Sequence, residues 1–251
     1  MKKLYKLTAF ILAALMCLSF TACGEAGDYF VDAEEEYAEA DGSCSNFSST
    51  ITVTGSDATS TINYTGTFLV NYDDDAYSAA LNGELTAEST KIAINAYYQD
   101  GKLYSDVSGA QNYVEATFDE AMAQIGLCGF PMDLEITDFE AISMSDTDEG
   151  KQIDFVIAPA YAYKITGLES QWNRLAAISG DDATVSLKEI TGSIVVDSHD
   201  RPLSEEINIS GNIFIGEEVI AVTNTISNTF EVGDTQELAI PDLSAFTYIE
   251  K

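Results

Sequence analysis

From residue 45 onward the apolar positions recur every second residue. Ile51 and Val53 alternate with threonines, and Ile62, Tyr64, Phe68 and Val70 continue the pattern. Tyr77, Ala79 and Leu81 follow, then Ile92, Ile94 and Ala96. A period of two with β-branched and aromatic residues marks half-buried strands. Turn clusters separate the runs at Gly55-Ser56-Asp57, Asp73-Asp74-Asp75, Glu88-Ser89-Thr90 and Asp100-Gly101. The last lies between Tyr97-Tyr98 and Leu103-Tyr104 and is the sharpest hairpin signal in the chain, because Asp-Gly suits a two-residue turn with positive φ. These features predict a meander of five strands. Ahead of it, Phe30, Val31, Tyr37 and Ala38 recur at near-helical spacing within an acidic lead that contains Glu34, Glu35, Glu36, Glu39 and Asp41.

The period then becomes helical. Phe118, Ala121, Met122 and Ile125 fall at i, i+3, i+4 and i+7, and Thr117 with Glu120 forms a capping-box pattern at the start. Gly126, Gly129 and Pro131 stop this helix. Strands are predicted at about 134–145 and 151–158 around the turn from Asp146 to Gly150. A second amphipathic helix is predicted at about 166–178, with Leu168, Trp172 and Leu175 as its stripe and Thr166 with Glu169 repeating the capping pattern. Three long strands close the chain, carried by Val185, Leu187, Ile194 and Val196, by Ile207, Ile209, Ile213 and Ile215, and by Ile220, Val222, Ile226 and Phe230. The tail from Ile240-Pro241-Asp242 is expected to pack across an edge or an opening. The predicted class is α+β: a strongly curved antiparallel sheet of about ten strands, a half-open β-barrel, wrapped on two or three helices. So many strands do not stay flat, and one apolar face of a curled sheet needs the helices as cover.

The first residues add a location. Lys2, Lys3 and Lys6 precede an apolar run from Leu7 to Phe20, and Thr21, Ala22, Cys23 and Gly24 follow. A basic n-region, an apolar h-region and small residues before a cut make a secretory signal. The run is shorter than the roughly 20 apolar residues of a comfortable membrane span. Phe20-Thr21-Ala22-Cys23-Gly24 resembles the bacterial lipobox, with Phe20 where leucine is usual. The expectation is a signal peptide at 1–22, a lipidated Cys23 leading an acidic tether or short helix at 23–42, and a single domain at 43–251. Two or three acyl chains anchor stably where one does not. The expected location is the extracytoplasmic face of a cell membrane, of Gram-positive type.

Charge narrows the partners. Three of the 11 basic residues lie in the signal, which leaves 8 against 42 acidic residues and a net charge of about −34 for residues 23–251. With 46% hydrophobic residues, the chain has the means to fold, so this charge coats a folded surface. Such a surface repels nucleic acid and anionic headgroups. It allows a basic envelope protein as partner. Outside the cytoplasm the two remaining cysteines, Cys44 and Cys128, can pair. Closing that loop would contribute up to about 4.5 kcal/mol in the chain-entropy model.

Enzymatic machinery is hard to assemble from this sequence. The single histidine, His199, lies in the predicted turn Ser198-His199-Asp200, a poor setting for a base that must face a serine and be oriented by a buried carboxylate. Clustered Cys and His for zinc are lacking, and no glycine-rich phosphate loop follows a strand. Asp73-Asp74-Asp75 and Asp146-Thr147-Asp148-Glu149-Gly150 offer oxygen ligands but lack the calcium-loop pattern, and both fall where turns are predicted. No cofactor, metal or catalytic residue is expected.

Several phrases together resemble the LolA/LppX-like lipoproteins: Ala96-Tyr97-Tyr98-Gln99-Asp100-Gly101-Lys102-Leu103-Tyr104, the hairpin Val196-Asp197 to Arg201-Pro202-Leu203, and the terminal Ile240-Pro241. The resemblance spans most of residues 30–245 in its order of elements. It implies an unclosed β-barrel whose concave face is capped by helices, and a lipid or lipoprotein carried between them. It transfers no individual ligand-contacting residue. The candidate pocket lining comes from the helix stripes: Phe118, Met122, Ile125, Leu168, Trp172 and Leu175. Periodicity fits a filled core as well as a lined pocket. Two functions stay open: a lipid-anchored module holding an apolar, lipid-like ligand, and an envelope interaction or scaffold domain with a solid core and an acidic face.

Overall fold

The structure is a computed structural model that describes residues 25–56, 58–73, 76–125, 132–165, 168–179, 182–233 and 237–250. The proposed signal peptide, Cys23 and Cys128 lie outside the described residues. One helix, α1, covers residues 25–39. Six strands follow: β1 (Gly42–Thr54), β2 (Thr59–Asp73), β3 (Ala76–Ala87), β4 (Thr90–Gln99), β5 (Lys102–Val107) and β6 (Ala110–Glu115). Then come α2 (Phe118–Ile125), β7 (Phe139–Asp146), β8 (Lys151–Ile157) and α3 (Leu168–Ser179). The chain ends with β9 (Thr184–Val196), β10 (Pro202–Ile215), β11 (Glu218–Gly233) and the two-residue β12 (Thr247–Tyr248).

All twelve strands form one sheet in the order β12-β6-β5-β4-β3-β2-β1-β11-β10-β9-β8-β7. Every pairing is antiparallel except β12 against β6. The sheet is open, because β7 and β12 form separate edges. β1 sits centrally, paired with β2 from Gly42↔Asn71 to Thr54↔Thr59 and with β11 from Gly42↔Gly233 to Thr54↔Ala221. Two wings result: β2–β6 on one side of β1, and β11 through β7 on the other. The expected class of curved antiparallel sheet with helices holds. The sixth strand and β12 raise the count above the expected ten.

The period-two pattern decides which side faces in. On β1, Ser45, Phe47, Ser49 and Ile51 are buried while Asn46 and Ser48 are exposed. Outward polar residues pair across strands, as Thr67 Oγ1 donates to Asn46 Oδ1 at 3.0 Å and Thr225 Oγ1 to Asn208 Oδ1 at 2.8 Å. The turn read from Asp100-Gly101 forms as expected, with φ of 52° and 73° at the two residues.

The concave face carries two apolar clusters. Under the wing β7–β11, helices α1 and α3 fill the space: Phe30, Ala33, Tyr37, Leu168 and Trp172 pack with Ile157, Ile190, Ile194, Ile207 and Ile209. The acidic lead, expected as a tether or short helix, thus contributes one full face to the core. The indole of Trp172 lies directly over Gly211, where a Cβ would stand 3.0 Å from the ring. Only glycine permits that approach. The wing β2–β6 is covered differently. Its cluster of Val70, Leu81, Ala96, Tyr98 and Leu103, with Phe47 of β1, packs against α2 through Ala121, Phe118, Met122 and Ile125. The C-terminal tail crosses the convex face, where Phe246 packs on Ala80 and Tyr97, and then joins the edge at β6.

Cys44 is a free thiol among the described residues, and its expected partner Cys128 lies outside them. Cys44 alternates with the inward residues of β1 and faces the convex side.

Candidate functional site

An α-helix rises 1.5 Å per residue, so the eight residues of α2 span about 12 Å, whereas five strands about 4.8 Å apart span about 20 Å or more. One short helix cannot cover that wing, and space is left at both of its ends. At the N-terminal end Thr117 and Glu120 form the expected capping box: the Thr117 N–H donates to Glu120 Oε2 at 3.0 Å, and the Glu120 N–H donates to Thr117 Oγ1 at 3.2 Å. Phe118 stacks on Tyr77 at 4.7 Å and meets Tyr98 edge-on at 5.5 Å. These rings, with Tyr37 and Tyr72, line a recess of about 750 Å³. It opens to solvent beside Tyr77, which is 45% exposed.

At the C-terminal end, between α2, α3 and the sheet, lies a cavity of about 450 Å³. Its floor is made by the inward residues of successive strands: Ile51, Ile62 and Tyr64, Leu81 and Leu85, Ile94 and Ala96, Leu103, and Val114. Ile125 and Leu175 cover it from the helices, and Ile249 closes the β12 edge. Ile249 is held there by its N–H, which donates to the Tyr113 carbonyl at 3.0 Å. The apolar wall is felt by the one phenol in it, since burial pushes the Tyr64 hydroxyl well above its ordinary pKa. Gln124, Gln171 and Arg174 form part of the polar rim. Arg174 Nη2 donates to the Gln124 carbonyl at 2.8 Å and so ties α3 to the last turn of α2, where carbonyls lack helical partners. Gln171 Oε1 accepts from Asn224 Nδ2 at 2.8 Å, and Asn224 Oδ1 accepts from Ser49 Oγ at 2.9 Å. This chain anchors α3 to β11 and β1 beneath it.

The six stripe residues therefore fall into different places. Ile125 and Leu175 meet at the cavity of 450 Å³. Phe118 lines the aromatic recess. Met122 packs into the cluster under α2. Leu168 and Trp172 are buried in the filled wing and line neither cavity. The Trp172 indole N–H is buried with no hydrogen-bond partner among the described residues. Sequence reasoning missed Gln171 and Arg174, although they share the i, i+3, i+4 face with Leu175. It read the strand positions as core without gathering them into one wall.

Other candidate chemistry resolves into turns. The Asp146–Gly150 segment is a closed hairpin turn, with the Thr147 N–H donating to the Gly150 carbonyl at 2.8 Å and Lys151 paired to Asp146 at 3.1 Å. Asp74 and Asp75 lie outside the described residues. Among the described residues no group of three His, Cys, Asp or Glu could hold a metal ion. His199 is exposed, and its Nδ1 faces both Ser198 Oγ at 3.3 Å and Asp197 Oδ2 at 3.9 Å. A triad needs those two partners on opposite ring nitrogens. No described helix is long and apolar enough to cross a membrane.

The solved structures similar to this chain include two mycobacterial proteins. LprF from Mycobacterium bovis is 12% identical, with 88% of this chain and 97% of LprF covered at a TM-score of 0.40. The lipoprotein LppX from Mycobacterium tuberculosis is 11% identical, with 85% and 98% covered at a TM-score of 0.42. No protein-family model and no curated protein matches the chain.

Proposed function

We propose that this chain is a lipid-anchored, extracytoplasmic binding module that holds an apolar, lipid-like ligand between α2, α3 and the strands β1–β6. The observation that carries the reading is the cavity of about 450 Å³ walled by aliphatic side chains from six consecutive strands. Cavities of about 300–1,000 Å³ with apolar walls and a few polar groups at one side are the usual form of a small-molecule site. Binding would come from removing apolar surface from water, about 25 cal/mol per Å². The module makes and breaks no bond.

Native mass spectrometry of the full chain, purified without detergent, tests the ligand. The expected spectrum shows an adduct of lipid mass that disappears after organic extraction. Leu175→Trp, which fills the cavity from α3, is expected to abolish the adduct while the melting temperature holds. A clean apo mass with no uptake of added lipid would overturn the reading. The anchor has a separate test: Cys23→Ser is expected to move the protein from the membrane fraction to the soluble fraction, and retention would contradict lipidation.

A further inference from the structure

The aromatic recess at the N-terminal end of α2 is a second chamber, walled differently from the aliphatic cavity, and what it binds does not depend on the function proposed above. Five of its nine described lining residues are aromatic: Tyr37, Tyr72, Tyr77, Tyr98 and Phe118. At the chain's average of 10% aromatic residues, nine positions would hold about one. Tyr77 stacks on Phe118 at 4.7 Å, while Tyr72 and Tyr98 meet Phe118 at 6.2 Å and 5.5 Å with interplanar angles of 73° and 68°. Rings set at such angles wall a space on several sides instead of filling it. Burial, with the phenols of Tyr37 and Tyr77 close by, pushes the Tyr72 hydroxyl above its ordinary pKa, so this phenol stays neutral. The face of a neutral ring is the negative end of its quadrupole and attracts a cation.

The surroundings have the same sign. Glu39, Asp100 and Glu115 are exposed and adjoin the lining residues Ala38, Gly101 and Ala116. The carbonyl of Asp41, another exposed acid, accepts from the Tyr72 N–H at 2.9 Å. The amide end of α2 also meets the recess, and there Glu120 Oε2 offsets it by accepting from the Thr117 N–H at 3.0 Å. Every Lys and Arg between residues 25 and 250 is among the described residues, and none lines the recess. Lys102, beside Gly101, holds its ammonium 5.5 Å from the centre of the Tyr113 ring in the convex cluster. A negative field around a concave mouth concentrates cations.

We propose that the recess binds a quaternary ammonium group, its methyls against the rings of Tyr72, Tyr77, Tyr98 and Phe118. Such a cation needs aromatic faces and not a set of oxygen ligands, and it is less strongly hydrated than a primary ammonium. The test adds choline to the full chain and follows the proton signal of its methyls, with the neutral isostere 3,3-dimethyl-1-butanol as control. The expected result is a saturable upfield shift from the ring currents, and binding of choline at least about fivefold tighter than that of the isostere. Tyr77 is 45% exposed, so changing it leaves the core intact. Tyr77→Phe is expected to keep the choline affinity within about twofold. Tyr77→Leu, which keeps apolar bulk without a ring, should lower it to that of the isostere. Phosphocholine separates two sources of the group: tighter binding of choline assigns a free solute, equal or tighter binding of phosphocholine assigns a lipid head group, and either supports the ammonium site. Equal binding of choline and the isostere, or choline affinity indifferent to Tyr77→Leu, would overturn the assignment. So would uptake of methyl glucoside in place of choline, which would make the rings a sugar platform. The lipid adduct of the aliphatic cavity is expected in both Tyr77 variants, so its absence would count against the earlier proposal alone.

Discussion

Glu34 projects from α1 with its carboxylate accepting from the Met132 N–H at 2.5 Å and the Leu134 N–H at 3.4 Å. Burial is the larger influence and raises its pKa from 4.5 to about 7. The folded chain then binds this proton more tightly than the unfolded chain does. The stability the group contributes is full below about 4.5 and is lost as pH rises toward 7. Glu34→Gln is expected to flatten the fall of the urea midpoint over that window, and identical slopes in the two proteins would contradict the assignment. None of this was legible from the sequence, where Glu34 stands among five neighbouring acids in an apparently solvated lead. Trp172 shows the same gap from the other side. Its place on an apolar stripe foretold burial, but periodicity marks a face and not a depth. Whether a stripe residue meets a filled core or a cavity depends on Gly211 and the strands beneath it, which lie far away in sequence.

Among the elements, α2 was the most legible. Its period, its capping box and its stop signals all appear in the chain, and the structure shows the box formed in both directions. Losing an N-cap hydroxyl costs about 0.5–2 kcal/mol, and α2 rests on a single cluster. Thr117→Ala is therefore expected to accelerate amide hydrogen exchange across residues 118–125 while α3 and the sheet are unchanged. Uniform exchange rates in the two proteins would show that the aromatic contacts of Phe118 alone hold the helix. The strand β6 was not legible. Its polar Gln111 and Asn112 interrupt the alternation, although Ser108-Gly109, with φ of 50° and 89°, form a tight turn just ahead of it. With β6 unread, the width of the wing was underestimated, and so was the mismatch with the short α2 that leaves the cavity.

At the level of the whole molecule, composition forecast an acidic surface and the order of elements forecast a curled sheet. The half-open barrel expected for that sheet is what forms, because its outermost strands β7 and β12 do not pair with each other. A net charge of −31 over the whole chain opposes its compact state through self-repulsion. Raising sodium chloride from a few millimolar to about 0.15 M, where the Debye length falls to about 8 Å, is expected to raise the melting temperature. A fall or no change would mean that the charges lie far enough apart to be independent already.

The central position of β1 has a consequence for the order of assembly. Its neighbour on one side, β2, is the next segment to be made, but its neighbour on the other side, β11, pairs Gly42 with Gly233. Chains whose first and last segments must meet fold slowly, and partly folded chains expose unpaired edges. As the polypeptide emerges from its N-terminus, β1–β6 can zip into a sheet by local hairpins alone, with one long edge of β1 left bare. That edge waits for nearly the whole remaining chain, so the strand that appears first is completed among the last, and a truncated product would carry an open template for pairing with its own kind.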